Sequence, residues 1–202
     1  MWWSDLSLQS IIFRVIALLI IVGIQGGIVA GAAVLLGDQG PKYDGRLSIA
    51  PSSHVDLVGS ISLILFGFGW AKPMPIDARQ FRTGRIGIFV VILAGVVGVL
   101  VTAAILHSLI LPALTTLSHT AGLTMSAFLR NASSLSIWFA LLSLIPIPPL
   151  TGGLLFGAFG IHVSQHIQWM LTAMLLVVLA TGVVRWLLSP AHAQLSSLLF
   201  GG

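Results

Sequence analysis

Leu144-Ile145-Pro146-Ile147-Pro148-Pro149-Leu150-Thr151-Gly152-Gly153 closes a long apolar run that begins near Ser126. No regular helix continues through Pro146, Pro148 and Pro149, because proline lacks a backbone N–H and its ring clashes with the preceding turn. Broken backbone at membrane depth persists only where neighbouring protein or a water-filled cavity satisfies the freed polar groups. The stretch therefore reads as the end of a spanning helix, residues 126–150, and as the lining of an internal site.

The rest of the chain points to the same solvent. Apolar residues make up 57% and charged residues 7% of the sequence, and mean hydropathy is +1.07. A soluble domain carries about 25% charged residues. So few charges cannot cover a water-facing surface, so the lipid bilayer or other protein must face most of it. One membrane domain, residues 1–202, suits this length. The net charge of +4 is modest, and the basic residues sit near expected membrane boundaries. They read as orientation signals, and nucleic acid is not an expected partner. The absence of cysteine excludes disulfides, thiolate metal sites and cysteine nucleophiles. The run from Ile11 to Leu36 is too long for the apolar part of a cleavable signal peptide and lacks a basic flank. Trp2 and Trp3 read as interfacial anchors.

A spanning helix needs about 20 apolar residues. Residues 11–36, 86–111, 126–150 and 166–188 meet that need, with Arg14 expected to snorkel to the headgroups. Residues 55–71 are fewer, include Asp56, and contain Gly59, Gly67 and Gly69, so they read as a re-entrant or short spanning element. The fold class is an all-α integral membrane protein of four to five transmembrane or re-entrant helices. Residues 37–53 form its one loop of soluble character, with a small cytoplasmic hairpin expected over Lys42–Ile49. Lys72, Arg79, Arg82 and Arg85 are the densest basic stretch and place that loop in the cytoplasm, together with the loop from Asp38 to Arg46. The segment 55–71 then enters and leaves from one face. Gly26, Gly27 and Gly31, and later Gly95 and Gly98, read as close helix-packing positions.

Phe68-Gly69-Trp70-Ala71-Lys72-Pro73-Met74-Pro75, together with the proline-rich stretch, resembles the small bacterial members of the site-2 protease family, the intramembrane zinc metalloproteases. Leu36-Gly37-Asp38 and Gly45-Arg46-Leu47 match further landmarks of that family, and Ser53-His54-Val55-Asp56 resembles its H-x-D-P. The resemblance covers most of the chain between Gly37 and Gly153. In the family, H-E-x-x-H shortly precedes L-G-D. Counting back from Leu36 puts that motif at Gln25-Gly26-Gly27-Ile28-Val29, so Gln25, Gly26 and Val29 stand where the resemblance implies histidine, glutamate and histidine. The family's L-D-G reads Leu150-Thr151-Gly152, which puts Thr151 in place of an aspartate ligand. Its A-G-P-x-x-N reads Ala94-Gly95-Val96-Val97-Gly98-Val99, and Ser143 replaces the asparagine that opens N-L-x-P-I-P-P. The chemistry needs two imidazoles one helical turn apart with a carboxylate beside them as base. None of the three is present, and the chain contains no glutamate at all. The expected catalytic residues, metal and cofactors are therefore none.

His162 and His166 are weak back-up candidates for a metal, four residues apart and on one face if helical. Two nitrogen ligands fall short of the three that catalytic zinc takes from protein. They read as interfacial or packing histidines. His54 and Asp56 read as capping and hydrogen-bonding groups beside the loop. No G-x-S-x-G elbow and no phosphate loop occurs. Together these readings describe a pseudoprotease, multi-pass in a bacterial inner (cytoplasmic) membrane. Its expected role is a structural or assembly subunit of a larger complex of integral membrane proteins, of the respiratory or photosynthetic kind. Ala173, Ala180 and Gly182, on an almost wholly apolar last helix, are the expected partner contacts. The alternative is a substrate-binding adaptor whose old cleft still admits a helix, or a residual protease with a non-standard site.

Overall fold

The computed structural model describes residues 7–161 and 163–201. Trp2, Trp3 and His162 lie outside the described residues. The chain forms α1 (Leu8–Leu36), α2 (Gly40–Tyr43), α3 (Leu57–Phe66), α4 (Gly87–Ser108), α5 (Ile110–Thr116), α6 (His119–Ser143), α7 (Leu154–Ala158), α8 (Gln165–Ala180) and α9 (Val183–Phe200), with no strand among the described residues. Among the described residues, two helical stretches are long and apolar enough to cross a bilayer: α1, of 29 residues, and Gly84–Thr116, of 33. This is a helical membrane protein.

The last apolar run is not one helix. The expected helix over 166–188 is α8 and α9, bent by 73°. Gly182, at φ 77°, makes the break. That left-handed conformation carries no steric penalty when there is no Cβ. The helix expected over 126–150 begins earlier, at His119, and ends at Ser143, ahead of the prolines. Its serines make α6 too polar to count as a span by hydropathy, yet every residue from Leu135 to Ser143 is buried. The hydroxyls of Ser133, Ser136 and Ser143 donate to the carbonyls of Arg130, Ala132 and Phe139 within the same helix. With their hydrogen bonds made locally, they sit in the core at little cost. Helices α1, α4, α5 and α9 pack around α6, and Ile21, Leu63, Val99, Ala132 and Phe139 form the central cluster.

Glycines set two close approaches. A Cβ on Gly95 would stand 2.7 Å from Val29 Cγ2, and one on Gly98 would strike Ile28, so α4 meets α1 there. The glycines of α1 depart from the helix-packing expectation. Gly27 faces the backbone of the irregular loop, 3.1 Å from Ser48 O, and Gly31 has nothing within 4 Å. That loop holds the single helical turn α2 and irregular chain where a hairpin was expected.

The loops around residues 38 and 77 meet at one end of the bundle. Asp38 is buried, and its carboxylate accepts from Gly40 N at 2.8 Å and from Asp77 N at 2.9 Å. Arg82 N donates to Leu36 O at 2.9 Å. Helix α3 starts on an Asp56 cap, whose Oδ1 accepts from Gly59 N at 2.7 Å. Beyond Gly67, at φ 74°, the chain turns back. Val55 and Ala71 end side by side in an isolated antiparallel bridge. Segment 55–71 thus begins and ends at the same place. Half-buried Arg14 reaches α3, where its Nη1 donates to Ile64 O at 2.5 Å.

Candidate functional site: a cavity at the position of the zinc motif

Four structural pieces enclose a cavity of about 440 Å³. They are the middle of α1, the Trp70–Met74 stretch, the loop from Pro148 to Gly153, and the first half of α8, and the start of α3 and α7 complete the lining. Gln25, Gly26, Val29 and Thr151 all line it. These are the positions to which the motif count assigns the zinc chemistry, and the fold brings them together across more than a hundred residues of sequence.

The hydrogen bonds fix their roles. Gln25 is 1% exposed, and its Nε2 donates to Ser143 Oγ at 2.9 Å. Ser143 Oγ spends its one proton on Phe139 O, at 2.8 Å. It must therefore accept from Gln25, which orients the amide and leaves Gln25 Oε1 buried without a hydrogen-bond partner. His54, fully buried, lies 2.7 Å from Ser48 O through Nε2. A carbonyl only accepts, so Nε2 carries the proton. The other ring nitrogen, Nδ1, is unpartnered, and a Cβ on Gly26 would collide with it. The imidazole of His54 thus fills the space beside α1 into which a glutamate side chain at position 26 would project.

The donor set does not fit zinc. Position 26 has no side chain and position 29 is an isopropyl group, while Gln25 and Thr151 offer only neutral oxygens. Zinc sites are built from thiolate, imidazole and carboxylate. Among the described residues, no group of three or more His, Cys, Asp or Glu side chains could hold a metal ion. The four motif positions themselves thus supply no imidazole, thiolate or carboxylate.

The remaining sequence-predicted residues lie elsewhere. His166 is exposed in the first turn of α8. Ala173 and Ala180 are exposed on α8, and Gly182 forms the break between α8 and α9. Asp56 and Lys72, each part of a quoted landmark stretch, also line the cavity, as do Gln168 and Trp169, which carry no sequence motif of their own. Also unforeseen is the anchor of α9. Arg185 lies 4.7 Å above the Trp138 ring, and His192 stacks on the same ring at 4.1 Å.

Over 131 residues the chain is 35% identical to the protein named "Putative zinc metalloprotease YwhC" of Bacillus subtilis (strain 168). The match supports a site-2-protease-like relationship. It covers 61% of this chain and 58% of the relative, so the chain spans little more than half the length of the relative it matches. No family model and no solved structure matches the chain.

Proposed function

We propose that this is a catalytically inert, site-2-protease-like protein, multi-pass in a bacterial inner membrane, that serves as a structural or assembly subunit of a membrane complex. One observation carries the reading. The cavity at the motif position is walled by an amide, a glycine, an isopropyl group and a threonine, with His54 packed against Gly26. None of these four positions supplies a metal ligand or a base, which favours a scaffold that acts by holding other proteins. The outer face of α8 suits that role. Met170, Ala173, Met174, Val177 and Ala180 are exposed, opposite the buried Thr172, Leu175 and Leu179. Small residues among flexible apolar ones let a partner helix approach closely in lipid. The joined loops around Asp38 and Asp77 lie on the cytoplasmic side in this reading, and segment 55–71 is re-entrant.

The test is a paired substitution, Ala173→Leu with Ala180→Leu, followed by extraction in mild detergent and sizing of the native complex. The expected result is release of a folded protein from its partners. Gly182 is left out, because any side chain at its positive φ would disturb the bend itself. Continued association of the α8 variant, with loss on changes at Pro148 to Gly153, would replace this reading with the cleft-binding adaptor.

A further inference from the structure

The two bilayer-length stretches meet at one end. Helix α1 stops at Leu36, and the apolar stretch over α4 and α5 starts at Gly84. Arg82 N ties the two by donating to Leu36 O at 2.9 Å, and Asp38 ties their loops by accepting from Asp77 N at 2.9 Å. Exposed Leu35 and Ile86 flank this junction, so it lies where hydrocarbon gives way to headgroups. Four cations sit at it with exposed side chains: Lys42 in α2, and Arg79, Arg82 and Arg85 in the loop before α4. The exposed carboxylates beside them are Asp44 and Asp77, and Asp77 already accepts from Arg79 N at 2.9 Å. Asp38 is buried, with its oxygens on backbone N–H groups. The outward charge of the junction is therefore positive, and guanidinium groups bind phosphate with two parallel hydrogen bonds.

We propose that this junction binds anionic phospholipid headgroups, the phosphatidylglycerol class, with Arg79, Arg82 and Arg85 as the phosphate contacts. Net charge is the discriminating feature. A choline headgroup carries the same phosphate, but its own ammonium cancels the charge that the arginines would meet. Each Lys or Arg close to an anionic lipid surface strengthens association roughly fivefold. The proposal differs from an orientation signal in what it requires of the finished protein. An orientation signal acts while the helices insert, whereas a binding surface holds its lipid after folding and purification. It is independent of the partner surface on α8 and stands or falls separately from it.

The full chain, purified in a neutral detergent with equal amounts of phosphatidylglycerol and phosphatidylcholine of matched chains, is passed through gel filtration. The retained lipid is extracted and counted by mass spectrometry. The expected result is roughly fivefold enrichment of phosphatidylglycerol. It should fall towards parity at about 1 M salt, where the screening length shrinks to about 3 Å. A triple variant, Arg79→Gln with Arg82→Gln and Arg85→Gln, should lose the preference, and the matching triple change to Lys should keep it. Arg130→Gln is the control. Arg130 is exposed on α6 at the other end of the bundle, where Phe128 packs edge-on against Phe13 near the start of α1, so its loss should leave the preference unchanged. If the Gln triple does not fold, the salt series and Arg130→Gln still decide. Equal retention of the two lipids, a preference indifferent to salt, a preference kept by the folded Gln triple, or its loss in Arg130→Gln would each overturn the proposal.

Discussion

One methyl group added at position 26 of α1 and one added at position 31 should act in opposite directions. Gly26→Ala drives a Cβ into the His54 imidazole. That ring cannot step aside, because it is fully buried and its Nε2 is held by Ser48 O at 2.7 Å. The strand of loop that carries Ser48 is itself pressed against Gly27, with Ser48 O at 3.1 Å from the Cβ position. Overpacking a site of this kind costs about 1–3 kcal/mol. Replacing glycine within a helix returns about 0.5–1 kcal/mol, so the net loss is up to about 2.5 kcal/mol. Gly31 meets nothing within 4 Å, so Gly31→Ala keeps only the helix gain of about 0.5–1 kcal/mol. The helix gain is common to both, so the two variants should differ by the overpacking cost, about 1–3 kcal/mol, in reversible unfolding by SDS in mixed micelles, followed by circular dichroism. His54→Ala should remove most of the penalty of Gly26→Ala in a double-mutant cycle, giving a coupling of about 1 kcal/mol or more. Equal shifts for the two glycine variants, or an additive cycle, would refute the packing argument.

Three further outcomes are expected. Single cysteines at Gln39 and Gln80 should respond alike to a membrane-impermeant thiol reagent in intact cells, both protected from outside, because Asp38 joins their loops through Asp77 N. Asp38→Ala should destabilise the fold by about 2–4 kcal/mol in the same SDS assay, because the N–H groups of Gly40 and Asp77 lose a buried charged acceptor. Gly182→Ala should cost about 1–2 kcal/mol, since alanine resists the left-handed conformation. It should also change the spin-label distance between α8 and α9.

What was legible in the sequence was what is local or carried by landmarks. The apolar runs of α1 and α4 declare themselves by length, because crossing a bilayer is a property of one segment. Counting from Leu36-Gly37-Asp38 and reading Leu150-Thr151-Gly152 picked out four positions that share one cavity. What escaped was tertiary. Nothing in the continuous apolar run over 166–188 demands a bend, since Gly182 looks like any helix-packing glycine until its φ is known. The glycine face of α1 reads as a helix seam in sequence, yet a passing loop uses it. Arg14 lies near a membrane boundary in sequence, but the end of α3 presents it with a carbonyl. Lys72 and Asp56 entered the sequence reading as an orientation charge and a cap. Only the return of the chain from Val55 to Ala71 brings them to the cavity.

Metal content tests the central claim most directly. Protein purified after growth with supplemental zinc, washed free of loosely bound ion and measured by inductively coupled plasma mass spectrometry, should carry far less than one zinc per chain. Neither a chelator nor changes at Gln25 and Thr151 should alter that residue of metal. About one tightly held zinc per chain, lost on substitution of Gln25 or Thr151, would contradict the account.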